Sequence, residues 1–270
     1  MQLAIDGNLV PSHCERVRLF RRAACQLFGI LRRFRSSLAA HRPGPRRQLR
    51  PAAGTGQASG AFDTFIRTDS QWITKQPVPE PARNTRNLNY FSAIFCIGTG
   101  DNLSAPQKRD LMSFIKEDGK GFVGAHTGDD AFFDWPEFGE MIGGYFDGHP
   151  WGVFDAPVIV ETPSFPAMKM FPARFTIRDE IYQHKDFSRD KVRVLARLDG
   201  DKLDYTKPNI HRTDRDFPVA WAKMHGKGRV FYSTFGHADE AWDNPLVQKM
   251  YLEALKWALR LEGEDVTPGK

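Results

Sequence analysis

A strand–helix–strand pattern between residues 90 and 126 constrains the fold more than any other part of the sequence. Residues 90–97 form a buried apolar run, a helix with an apolar face follows, and residues 121–125 form a second apolar run of small residues. Ser104 and Gln107 have the spacing of a capping box at the start of that helix. Two buried strands joined by a helix are the unit from which parallel sheets are built. We therefore predict an α/β protein with parallel central strands.

Three apolar segments of the chain each lead to a histidine, namely His126, His149 and His237. Because open α/β sheets place their chemistry at the carboxyl ends of strands, we expect the three imidazoles to meet in one cleft. Imidazoles there suit acid–base catalysis near neutral pH or metal binding. The sequence thus predicts a shared site and, as one version of it, a divalent metal (zinc) bound by all three. The alternative is that each histidine satisfies a buried carbonyl or carboxylate.

The positive charge of the chain is confined to its first quarter. Residues 1–62 contain eleven Arg, no Lys and two acidic residues, whereas the remaining residues contain 27 basic and 31 acidic side chains. This mildly acidic remainder argues against nucleic acid as a partner. The three cysteines lack a CxxC spacing, which argues against a disulfide framework or a cysteine-based metal site. No apolar run approaches the roughly 18 residues of a transmembrane segment.

Residues 1–59 differ in composition from everything that follows. Helical spacing is shown by the apolar residues Phe20, Ala24, Leu27, Phe28, Leu31 and Phe34. The segment is interpreted as a basic targeting or membrane-surface helix, as a scaffold helix, or as a stretch that is not a native protein sequence. The abrupt change in composition near Ser59 favours the last. No secretory signal is readable here, so a cytoplasmic location is the default expectation.

We divide the chain into three parts on this basis. Residues 1–59 are predicted to be disordered or non-native, residues 60–261 to form one α/β domain, and residues 262–270 to form a tail. Within the domain, short or alternating apolar runs predict strands over residues 157–161, 175–177 and 192–198. A hairpin around residues 226–228 and a final helix that begins at Asn244 and Pro245 follow. The order predicts a three-layer fold with a mainly parallel sheet and antiparallel additions.

Several motifs, in this order, resemble the trehalose-utilisation (ThuA-like) family. They lie at residues 119–126, 143–150, 179–182, 217–221, 226–232 and 236–242. The resemblance covers about residues 60–261 and implies the flavodoxin-like fold of the class I glutamine amidotransferase-like superfamily. Residues 1–58 do not match the first core strand and site loop of the family, so we expect this strand to be missing or replaced.

The resemblance also bears on the type of chemistry. Glutamine amidotransferases carry a cysteine nucleophile after the strand that corresponds to residues 121–125. Here that place looks to be taken by Ala125 and His126, with no cysteine near them in sequence. Thiol-dependent glutamine hydrolysis is therefore disfavoured.

A role in carbohydrate utilisation is what the resemblance implies. The expected partner is a small carbohydrate, trehalose or a keto-sugar, and the expected activity is that of a hydrolase, lyase or isomerase. We predict acid–base or metal-assisted catalysis by His126, His237 and Glu180. The alternative is a non-catalytic sugar-binding domain on the same scaffold. A homo-oligomer is compatible with either.

Further residues are predicted to bind the substrate: Asp129, Asp130, Trp151, Tyr182, His184, Arg212 and Glu240. The two aspartates follow His126 and could orient its ring or bind sugar hydroxyls, or only cap a turn. Trp151 offers an aromatic face for a pyranose, with core packing as the alternative. Arg212 precedes the hairpin, and Glu240 lies three residues after His237, where it could instead complement a helix dipole.

Overall fold

The computed structural model describes residues 27–33 (backbone), 60–67, 70–81, 85–98 and 103–268. Their main sheet has nine strands in the order β2-β1-β3-β4-β11-β10-β9-β6-β7, and β5 and β8 pair separately. The strands are β1 Leu27–Arg33, β2 Phe62–Arg67, β3 Ala93–Ile97, β4 Gly121–Ala125, β5 Tyr145–Phe146, β6 Val153–Val160, β7 Arg174–Glu180, β8 His184–Lys185, β9 Arg193–Leu198, β10 Pro218–His225 and β11 Gly228–Ser233. The α-helices are α1 Ala105–Lys116, α2 Pro136–Ile142, α3 Asp239–Asp243 and α4 Pro245–Ala258.

The centre of the sheet is parallel, as predicted. Strands β3, β4 and β11 run in the same direction, with Ile94 beside Phe122 and Phe122 beside Val230. The predicted capping box starts α1: Gln107 Oε1 accepts from the backbone N–H of Ser104, and Ser104 accepts from Gln107 N. The carboxyl ends of β4 and β11 therefore lie side by side.

Antiparallel strands extend the sheet on both sides of this centre. The predicted hairpin joins β10 to β11, and β9, β6 and β7 follow outward. On the other side, β1 pairs antiparallel with both β3 and β2. The three-layer α/β fold with antiparallel additions is thus confirmed.

Strand β1 corrects the helical interpretation of the Arg-rich segment. Over Leu27–Arg33 the chain is extended, with Gly29 opposite Phe95 on one side and Ile66 on the other. A short apolar run fits a strand as well as a helix, and here backbone hydrogen bonds to two neighbours decide for the strand. Residues 1–26 and 34–59, including Phe20, Ala24 and Phe34, lie outside the described residues. The boundaries proposed at residues 59 and 262 stay predictions.

Two apolar cores cover the two faces of the sheet. Alternation along β4 sends Phe122 towards one core and Val123 towards the other. Helices α1 and α2 bury residues in the first core, and α3 and α4 in the second. A Cβ on Gly121 would lie 2.8 Å from Cβ of Ala258, so the close approach of α4 to β4 requires glycine there. Within the described residues, no helix is both long and apolar enough for a bilayer crossing.

Candidate active site

Five side chains converge beyond the ends of β4, β7 and β11. We call this group the Glu180 cluster: His126, His149, Glu180, Tyr182 and His237. His126 directly follows β4, Glu180 ends β7, and His237 lies in the loop after β11. The three predicted histidines are therefore brought to one carboxylate, although their rings differ in exposure.

His126 is held in a rare backbone conformation by hydrogen bonds with Tyr232 in β11 and with Thr234, which directly follows β11. Its φ is +44°, in the left-handed region that few non-glycine residues adopt. Its carbonyl oxygen accepts from the hydroxyl of Tyr232 at 2.7 Å, and its Nδ1 lies 2.8 Å from the carbonyl oxygen of Thr234. Because a carbonyl only accepts, we assign the ring proton to Nδ1. The lone pair of Nε2 then faces the cluster.

Three groups surround Nε2 of His126. The hydroxyl of Tyr182 lies at 2.7 Å, Nδ1 of His237 at 3.2 Å and Oε2 of Glu180 at 3.7 Å. Burial lowers the pKa of His126 to about 4, against the opposing effect of its hydrogen bond to Thr234. The imidazole is thus neutral at pH 7 and can serve as a base or a ligand.

Glu180 connects the other two histidines. Its Oε2 lies 3.1 Å from Nδ1 of His237, and its Oε1 lies 3.5 Å from Nδ1 of His149. Burial alone would raise the pKa of Glu180, but the hydrogen bond from His237 and the nearby imidazoles together lower it. The same hydrogen bond raises the pKa of His237. Glu180 is therefore an ionised carboxylate and His237 a readily protonated imidazole, and both lie beside the neutral imidazole of His126.

Asp179 fixes the loop that carries His237. Its Oδ1 accepts from the backbone N–H groups of Glu180, His237 and Ala238 at 2.9–3.0 Å, and its Oδ2 accepts from Gly236 N at 2.8 Å. Asp179 belongs to the family motif at residues 179–182, but the sequence did not indicate this role. Only the meeting of β7 with a loop nearly sixty residues later reveals it.

A fully buried His–Asp pair lies next to Tyr182 of the cluster. Nε2 of His184 is 3.0 Å from Oδ2 of Asp129, and neither side chain has exposed area. The ring of His184 packs edge-on against Trp221 and Tyr232. Asp129 and His184 are buried against each other and solvent does not reach them, and a substrate contact by either residue stays a prediction.

Trp151 lies in an apolar environment. Its ring packs edge-on against Phe217 with centroids 5.0 Å apart, and its indole N–H donates to the carbonyl oxygen of Asp204. The side chain belongs to the core on the α4 face of the sheet. This burial fits the packing alternative, and the sugar-stacking role of Trp151 stays a prediction.

The remaining residues predicted to bind substrate are Arg212, Glu240 and Asp130. Arg212 pairs with the carboxylate of Asp214 and reaches the carbonyl oxygen of His184 at 3.4 Å. Glu240 is exposed in the first turn of α3, which fits the helix-dipole alternative. Asp130 is half-buried in the turn after His126. Substrate contacts by these three residues stay predictions.

Comparison with known proteins agrees with this architecture. The sequence model of the family described as trehalose utilisation (ThuA) matches residues 57–258. The crystal structure of a ThuA-like protein from Parabacteroides merdae is 17% identical, with 80% of this chain and 87% of that chain covered and a TM-score of 0.59. A ThuA-like protein from Bacteroides uniformis is 24% identical, with 63% and 70% covered and a TM-score of 0.52. None of the curated proteins matches. The family match spans most of the chain, and this protein is a member of the trehalose-utilisation family.

Proposed function

We propose that the protein is an enzyme of carbohydrate utilisation that acts on a small sugar, either a glycoside or its oxidised keto form. The substrate class comes from the family description. The site would be the Glu180 cluster, and the reaction would be acid–base chemistry at a carbonyl or glycosidic carbon.

The observation that carries this proposal is the contrast between His126 and His237. Their facing nitrogens are 3.2 Å apart, yet burial keeps the pKa of His126 low whereas Glu180 raises that of His237. Two titratable groups whose pKa values are pushed apart at one place form a natural base and acid. His126 would take a proton through Nε2, and His237, charged beside Glu180, would supply one to an oxygen.

Exposure supports the same division of roles. The His126 side chain is 5% exposed, whereas those of His237 and His149 are 44% and 50% exposed. The cluster therefore opens on the side of His237 and His149, from which a small sugar would reach the buried base.

Thiol chemistry has no support in the described residues. Cys96, a free cysteine there, is buried in β3, and burial raises the pKa of its thiol to about 12. A thiol of this kind is not a nucleophile at neutral pH. This agrees with the expectation that Ala125 and His126 stand where glutamine amidotransferases have their cysteine nucleophile.

The test is turnover of trehalose, related glucosides and their keto derivatives by the purified full-length protein. We expect His237→Ala and Glu180→Gln to lower kcat by about 10²-fold or more while sugar binding persists. His211→Ala is the matched control, because this exposed histidine pairs with Asp147 outside the cluster. Saturable sugar binding without turnover in the unmodified protein would instead identify a binding domain.

A further inference from the structure

We propose that the Glu180 cluster binds a divalent transition metal, with zinc as the probe, through Nε2 of His126, Nδ1 of His237 and the carboxylate of Glu180. The inference deepens the proposed sugar chemistry, since it concerns the same site, but it can be tested without a substrate. It differs from the predicted three-histidine site in that Glu180 replaces His149 as the third ligand.

The ligand atoms are spaced as a metal requires. Among the described residues, His126, Glu180 and His237 offer three ligand atoms that all lie within 4.8 Å of one another. Nε2 of His126 and Nδ1 of His237 are 3.2 Å apart. Oε2 of Glu180 lies 3.1 Å from Nδ1 of His237 and 3.7 Å from Nε2 of His126. Zinc bonds of about 2.0–2.1 Å at tetrahedral angles place ligand atoms about 3.3 Å apart. The triangle thus needs only small adjustments to hold the ion.

Hydrogen bonds hold the ring of His126 and the backbone of His237 in place. The Nδ1–H of His126 donates to the carbonyl oxygen of Thr234, an arrangement typical of metal-binding histidines because it fixes the tautomer. The backbone of His237 is held by Asp179 through the N–H groups of His237 and Ala238. The protein therefore holds His126 in the tautomer that a metal needs, whereas Nδ1 of His237, which donates to Glu180, releases its proton when the ion binds.

The ligand set leaves room for a substrate. Two histidines and one carboxylate form the set of several catalytic zinc sites, in which a further position stays open for water or substrate. His237 is half-exposed, so the open side of the triangle faces solvent. His149 approaches only the other carboxylate oxygen, at 3.5 Å, where it would orient Glu180 instead of binding the ion.

Two hydrogen bonds compete with the metal, namely that from His237 to Glu180 and that from Tyr182 to His126. The hydroxyl of Tyr182 lies 2.7 Å from Nε2 of His126 and donates to the lone pair that the metal would use. Binding therefore exchanges this hydrogen bond for a coordination bond. Since the phenol is not among the proposed ligands, Tyr182→Phe should bind zinc at least as tightly as the unmodified protein.

The experiment is a zinc titration of the metal-stripped full-length protein against a competing chelator, followed by cobalt(II) substitution. We expect one equivalent bound at the cluster, and visible cobalt bands of a low-coordinate site. His126→Asn, His237→Ala and Glu180→Gln should each weaken binding at least tenfold, whereas His211→Ala should not. Asn is chosen at position 126 because it tolerates a positive φ, and circular dichroism checks that each variant is folded.

The outcomes separate this inference from the proposed function. Equal zinc affinity in folded His237→Ala and Glu180→Gln, or no binding by the unmodified protein, would overturn the metal site. Sugar turnover by metal-free protein would support acid–base catalysis, and the zinc titration would still decide the metal site by itself. Stoichiometric zinc that is lost in the three variants supports the metal site even if none of the tested sugars is turned over.

Discussion

The hydroxyl of Tyr182 donates a hydrogen bond to Nε2 of His126 over 2.7 Å, and the two rings lie with centroids 4.3 Å apart. Both side chains are buried, so this contact is not shared with bulk water. It satisfies the lone pair of an imidazole whose other nitrogen is already bound to Thr234. Because only the neutral ring can accept at Nε2, the Tyr182 hydroxyl stabilises the neutral form of His126.

Removal of the Tyr182 hydroxyl should therefore raise the pKa of His126. Tyr182→Phe deletes a donor that only the neutral ring can accept, and a hydrogen bond contributes about 0.5–1.5 kcal/mol, which corresponds to a rise of up to about one pKa unit. The measurement is an NMR titration of the His126 ring in metal-free protein. Tyr205→Phe is the control, because that hydroxyl binds the carbonyl of Gly200. An unchanged or lower pKa would show that Tyr182 does not stabilise the neutral ring.

The titration of His126 should contribute to the pH dependence of the free energy of unfolding. Burial lowers its folded-state pKa to about 4, below the ordinary value of 6.5. Between these values the unfolded chain binds more protons, so the contribution of His126 to the free energy of unfolding falls as the pH drops from about 6.5 to about 4. The raised pKa of His237 acts in the opposite sense, since its contribution is present at low pH and is lost as the pH rises through that value.

Urea unfolding of metal-free protein at several pH values isolates this effect. His126→Asn removes the titrating ring, so the variant should lose less stability than the unmodified protein on acidification from about pH 6.5 to about pH 4. Parallel curves for His126→Asn and the unmodified protein would mean that His126 titrates normally.

The sequence alone predicted local features of the structure better than contacts between distant residues. The capping box at Ser104 and Gln107 and the β10–β11 hairpin depend on neighbouring residues, and they were predicted correctly. The meeting of His126 with His237 followed from a general rule about parallel strand ends. By contrast, the burial of His184 against Asp129 joins residues 55 positions apart, and no local pattern encodes it.

Strand β1 illustrates the same limit. Its apolar residues fit a helical period, yet its place is decided by pairing with β2 and β3, which lie about 30 and 60 residues further along the chain. Trp151 likewise looked suited to sugar stacking beside His149, whereas its environment is set by Phe217 and Asp204. In each case the local sequence suggested one structure or role, whereas contacts with distant residues set the environment.

Replacement of Asp179 should destabilise the loop that carries His237. Asp179→Asn keeps the volume but turns an amide donor towards N–H groups that the carboxylate now accepts. Each buried donor left unpaired costs about 1–3 kcal/mol, so we expect a clear loss in the free energy of unfolding and a weaker zinc affinity. Asp155→Asn, at an exposed ion pair with Arg178, should change little. Stability equal to that of the unmodified protein would show that the carboxylate does not hold the loop.

The buried pair Asp129–His184 should show strong coupling in a double-mutant cycle. Loss of one partner leaves the other buried without its charge or hydrogen-bond partner, at a cost of about 3–5 kcal/mol, whereas apolar replacement of both removes that penalty. Asp129→Leu and His184→Phe roughly keep the side-chain shapes. The double variant should therefore be more stable than the sum of the single effects implies, by about 1–3 kcal/mol. The pair of half-buried Asp147 and exposed His211, at a similar distance of 2.9 Å, is the control and should couple by less than about 1 kcal/mol. Additive single effects at Asp129 and His184 would mean that the two side chains stabilise the base of the cluster independently, by packing alone.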